Sequence, residues 1–212
     1  MSLSSLPEAH RLALLSARTE RGVFASSFCL DAALGSIVLS IDEPLVAQIR
    51  LAWWRDRLSD PRSSGEVRDA CLSSIHEAWH PDPAQLVPLV DGWEALVIDP
   101  RQADPFVEGR AILARAIAER AGLPDEVDAA ETNGKLWAYA DLAARFDDEN
   151  LRVRALGKGA ELYRQPRKLS SALRPLAVLG GLAHRALRRG GAPLIGDRTS
   201  PVAAFRLGLF GI

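Results

Sequence analysis

His76-Glu-Ala-Trp-His80 has the spacing of a zinc hydrolase motif. Two histidines one helical turn apart can share a metal, and Glu77 between them can act as general base. Pro81 follows at once and ends the helix at His80. No third histidine follows at a spacing that would complete the set, and Trp79 continues an apolar stripe. This context favours a structural role for the histidines. Asp56 and Asp60, four residues apart, could share one helical face, but Asp60 directly precedes Pro61 and reads as an exposed helix end. Arg50 and Arg55 can bind an anion, or they can pair with Glu43, Asp56 or acids on neighbouring helices. Asp141 and Arg145 form a modest i, i+4 pair. No phosphate-binding glycine loop and no nucleophile elbow is present.

The elements that must position these residues are helical, because alternating strand-like runs are absent. Leu30, Leu34, Ile37, Val38 and Ile41 fall on one helical face, and Asp42-Glu43-Pro44 stops that helix and starts another. In the next helix Leu45, Ile49, Ala52 and Trp53 form the expected apolar face. Adjacent residues on a helix point about 100° apart, so Trp54 would line a cavity or cover a helix junction. Val67, Cys71, Ile75 and Trp79 mark the following helix, ended by His80-Pro81. Leu86 to Val97 and Ile112 to Ile117 mark two more, ended by Asp99-Pro100 and Gly122-Leu-Pro124. A long pattern runs from Pro124 to Phe146, followed by helices over 149–163 and 171–189. A short helix after Pro201 closes the chain. Gly180-Gly181 inside an apolar helix predicts close helix packing or a kink. Short breaks of Pro, Gly and Asp give an all-α, single-domain bundle of about eight to ten helices. Residues 1–190 form its body, and 191–212 form a linker and closing helix packed on the same domain.

Hydrophobic residues make up 48% of the 212 and charged residues 25%, enough apolar material for a sizeable core. Cys29 and Cys71 each lie in an apolar helical pattern and read as reduced core residues, which favours a reducing, cytoplasmic compartment. The first fifteen residues carry Glu8, His10 and Arg11 and lack the long apolar run of a secretory signal. No window reads as a membrane span, and the best candidate, Leu176–Leu187, is short and holds His184 and Arg185. The net charge of −1 hides an asymmetry: residues 152–212 hold 12 Lys/Arg and 2 Asp/Glu, and residues 1–151 hold 14 and 25. The basic segment either packs against the acidic part or faces an anion such as diphosphate or an anionic membrane at its inner face. Nucleic acid is not the expected partner, since the basic residues are not interleaved with stacking aromatics.

The stretch Glu43-Pro-Leu-Val-Ala-Gln-Ile-Arg-Leu-Ala-Trp-Trp-Arg-Asp-Arg-Leu58 resembles the squalene/phytoene synthase family. It is especially similar to the bacterial branch that also resembles mitochondrial complex I assembly proteins. Arg50 and Trp53-Trp54-Arg55 carry most of the likeness. Arg21 fits the family's arginine in the preceding helix, and Asp91-Gly-Trp-Glu94 and Gly134 to Arg145 are weaker matches. The resemblance implies an isoprenoid-synthase-type bundle, truncated relative to a full synthase. It also implies that Arg50, Trp54 and Arg55 belong to a substrate-binding region.

Active members of that family hold Mg²⁺ between aspartates four residues apart on two facing helices and condense prenyl diphosphates head to head. This sequence departs from the pattern. Where the first acidic motif belongs it reads Ala33-Leu-Gly-Ser-Ile-Val38, and the i+4 partner of Asp31 is Gly35. Near the second motif stands Arg145-Phe-Asp-Asp-Glu149, whose Asp147 or Asp148 is also placed to cap the next helix. The expected function is therefore a synthase-like protein without Mg²⁺-dependent prenyl transfer, holding a lipid, an isoprenoid or a protein partner. No cofactor is expected. The alternatives are a divergent transferase using Asp31, Asp147, Asp148 and Glu149 with Mg²⁺, a zinc hydrolase through His76, Glu77 and His80, and a helical interaction module without a small ligand.

Overall fold

The computed structural model describes residues 6–60, 69–165, 168–196 and 200–210. Among the described residues ten α-helices follow in order: α1 (Glu8–Leu15), α2 (Arg21–Ser40), α3 (Pro44–Ser59), α4 (Ala70–Ala78), α5 (Val87–Ile98), α6 (Asp104–Arg120), α7 (Val127–Arg145), α8 (Glu149–Glu161), α9 (Arg174–Arg188) and α10 (Ser200–Phe210). No strand occurs among the described residues.

Local chemistry sets the boundaries. Proline stands in the first turn of α3, α5, α6 and α9, where a missing N–H costs nothing. Asp69 accepts from the Leu72 amide to cap α4, and Asp148 accepts from the Asn150 and Leu151 amides to cap α8. Val67, expected to open the fourth helix, lies outside the described residues.

Helices α5, α6, α7 and α9 pack in series, with α2 and α3 on the α5 side, and α10 packs on α9 and α1. The contacts are close. A Cβ on Gly134 of α7 would lie 2.6 Å from the Arg110 carbonyl of α6, so the glycine lets the two backbones approach. Gly180 of α9 lies directly against the Asn133 side chain, which answers the question raised by the Gly180-Gly181 pair.

Three expectations need correction. First, the face of α3 is reversed. Leu45 and Ile49 are 66% and 62% exposed, whereas Ala47, Leu51, Trp54 and Leu58 are buried. The helix carries two apolar stripes, and the one that docks is the one whose neighbour Arg55 meets Asp91 and Glu94 of α5. Trp54 is the core residue, and Trp53 packs edge-on against it, half-buried, with Arg57 over its ring.

Second, Cys29 of α2 and Cys71 of α4 are disulfide-bonded, with Cα atoms 6.0 Å apart. Packing of α2 on α4 brings them within bonding reach, and their apolar surroundings do not argue for a reducing compartment. Third, α2 has the length and composition of a membrane span, with a mean hydropathy of 1.7 over its best window. That window is 61% buried in the bundle, as a core helix would be.

Candidate functional site

Five helices meet at a buried charged centre. Arg110 of α6 is 1% exposed. Its Nε donates to Asp31 Oδ1 at 3.0 Å and its Nη2 to Asp31 Oδ2 at 2.9 Å, the two-pronged geometry that suits guanidinium and carboxylate. Its Nη1 lies 2.8 Å from Asp141 Oδ2 of α7, a close ion pair rather than an aligned hydrogen bond. Asp141 is also paired with Arg145 one turn on, at 3.3 Å. The indole N–H of Trp93 in α5 donates to Asp31 Oδ1 at 3.0 Å. The guanidinium sits 3.8 Å from the centre of the Trp137 ring and 4.5 Å from that of Phe106, so the arginine is enclosed by aromatic faces as well as by carboxylates.

Burial alone would drive these groups to neutrality. Burial does act against the charge on Arg110, but Asp31 and Asp141 together outweigh it and raise its pKa. Burial likewise opposes ionisation of Asp141, and Arg110 and Arg145 overcome it and lower its pKa. The centre therefore holds two carboxylates against two guanidinium groups.

His10 of α1 completes the wall. It stacks on Phe28, with ring centroids 5.0 Å apart, and its Nε2 lies 3.7 Å from Asp31 Oδ2. Burial lowers its pKa to about 4. The folded protein holds His10 neutral, while the unfolded chain protonates it near the ordinary 6.5. Stability is thus lost as pH falls from about 6.5 towards 4, by up to about 3 kcal/mol. Urea midpoints measured between pH 7.5 and 4 should fall over that window, and His10→Phe should remove the upper part of the fall. An unchanged profile in the variant would sink this assignment.

A cavity of about 350 Å³ opens on the centre. Leu6, Ala32, Gly35, Leu39 and Trp93 give it an apolar wall, and His10, Asp31, Arg110 and Arg145 line it as well. Residue 35 is a glycine packed close to the Trp93 indole, and a Cβ there would lie 3.1 Å from the ring, which would have to shift to admit a side chain. The turn beyond Asp31 therefore offers no second carboxylate. The turn beyond Asp141 offers Arg145.

The residues singled out in the sequence fall in different places. Asp31 lies in the centre. Asp147, Asp148 and Glu149 line a separate, polar hollow with Arg152 and the Arg189–Ala192 loop, and Asp148 is occupied as the cap of α8. Arg50 is exposed, Trp54 is buried, and Arg55 is bound to Asp91 and Glu94, so the three do not converge on one cavity. The α-helix that carries His76 ends at Ala78, leaving exposed His80 outside it. His76 Nε2 contacts the Arg57 carbonyl at 3.2 Å, and Glu77 is exposed. Among the described residues, no group of three or more His, Cys, Asp or Glu could hold a metal ion. Arg110, Asp141, Trp93 and His10 were not anticipated as a unit. Their signal is charge within apolar stripes: Arg110 continues Phe106, Leu113 and Ile117 at helical spacing.

The site defines a class only in structural terms, an all-helical bundle with an arginine clamped between two buried carboxylates. Searches against protein-family models, curated proteins and solved structures find no match to this chain.

Proposed function

We propose that this chain is a divergent squalene/phytoene-synthase-like bundle of the isoprenoid synthase type. In this reading it binds an isoprenoid or lipid in the open hollow beside the charged centre, in a carrier or assembly role, and does not perform Mg²⁺-dependent head-to-head prenyl transfer. One observation carries the non-catalytic part of the reading: the guanidinium of Arg110 lies between Asp31 and Asp141, carboxylates of α2 and α7. A Mg²⁺ ion bridging two helices needs several carboxylate oxygens with open lone pairs. Here the Asp31 oxygens accept from Arg110 and Trp93, and the residues one turn on are Gly35 and Arg145. The donor set does not fit that ion. A transferase using Asp31 with Asp147, Asp148 and Glu149 would need one shared cavity, and these residues line separate ones.

The test uses the purified protein with farnesyl or geranylgeranyl diphosphate, with and without Mg²⁺. The expected result is no Mg²⁺-dependent release of pyrophosphate. Trp93 lines the cavity, so farnesol or farnesyl diphosphate should change the tryptophan emission saturably. Mg²⁺-dependent condensation would overturn the proposal, and substitutions at Asp147 and Asp148 would then show whether they carry the metal.

A further inference from the structure

Helix α10 is apolar nearly all the way round, with Arg206 as its one charged residue. Such a helix is expected to be covered on every side. One side is covered. Ala204 is buried, Leu207 lies over Gly181 of α9, and Gly208 approaches the Ser16 side chain, where an added Cβ would sit 3.3 Å away. The opposite side is open: Val202, Phe205 and Leu209, spaced i, i+3 and i+7, are 66%, 68% and 44% exposed.

Helix α1 faces this side with Leu15, 74% exposed, and half-buried Leu12. Between the two helices runs a groove of about 330 Å³. A second, mainly apolar hollow of similar size shares Leu12 and Leu15 and extends to Arg11 and Arg21. Exposed Arg11, Arg18 and Arg21 line these surfaces, against exposed Glu8. A contiguous apolar surface with a cationic border is an interaction surface.

The charge selects the occupant. A symmetric pairing with a second copy would bring together two patches that each hold three arginines with only Glu8 to offset them. An anionic bilayer supplies both complements, an apolar layer for the open side chains and phosphates for the arginines. We propose that the α1–α10 face is a docking surface for an anionic lipid bilayer. On it Leu15, Val202, Phe205 and Leu209 enter the headgroup layer, and Arg11 and Arg18 meet lipid phosphates. The proposal stands whether or not the hollow beside the charged centre takes an isoprenoid.

Co-sedimentation of the full chain with vesicles tests it. One set is phosphatidylcholine alone, and the other contains one third phosphatidylglycerol. Binding is expected to the anionic set only and should weaken in high salt. Leu15→Ser with Phe205→Ser should lower partitioning at least about tenfold, and Arg18→Gln about fivefold, with helical circular dichroism unchanged. Leu45→Ser with Ile49→Ser serves as the control. It alters the exposed face of α3, which follows the acids Asp42 and Glu43, and should leave binding unchanged. Four results would overturn the proposal: no binding to anionic vesicles, equal binding to both sets, an equal loss in the α3 variant, or a dimer that Phe205→Ser dissociates without any vesicle binding.

Discussion

Replacing Arg110 with methionine should cost about 3–5 kcal/mol of folding stability, read as a lowered urea midpoint at neutral pH. The arginine is 1% exposed and holds two buried carboxylates at 2.8–3.0 Å. Without it Asp31 and Asp141 face each other out of water with no shared counter-charge. The loss should shrink as pH falls and the carboxyl groups take up protons. Arg110→Lys keeps the charge but not the planar fork, and should fall between the two. Combining Arg110→Met with Asp31→Asn and Asp141→Asn should recover much of the loss, because the cost lies in stranded charge more than in missing attraction. A single variant within about 1 kcal/mol of the parent would mean that the centre is not clamped.

The Cys29–Cys71 bond closes a loop of 42 residues. In the chain-entropy view, Cys71→Ser should cost about 4 kcal/mol under non-reducing conditions. A reductant should produce the same loss in the parent and none in the variant. Thiol labelling of the unreduced, denatured protein gives a direct count, and two reactive thiols would show that the pair is reduced.

The helix limits were legible in the sequence because they are local. Asp42-Glu43-Pro44, Asp99-Pro100 and Gly122-Leu-Pro124 each mark a stop that the structure observes within a residue or two. The docked face of α3 was not legible. Its two stripes are nearly equal in apolar content, and which one docks is settled by packing against α5, far along the chain. The cysteine pairing was equally non-local. At the centre, Asp31 stood out only through a resemblance, and Asp141 read as half of a modest helix pair. A charge in an apolar stripe announces that a partner is needed but does not name it. Only the meeting of α2, α6 and α7 does that.

That meeting bears on the order of assembly. Arg110 and Asp31 are 79 residues apart along the chain. A lone guanidinium resists leaving water, so α6 is expected to seat in the core only with a carboxylate of α2 or α7 beside it. Partial structures lacking both carboxylates keep an unmatched guanidinium at their heart. The centre thus penalises half-built intermediates and ties distant segments into one cooperative transition.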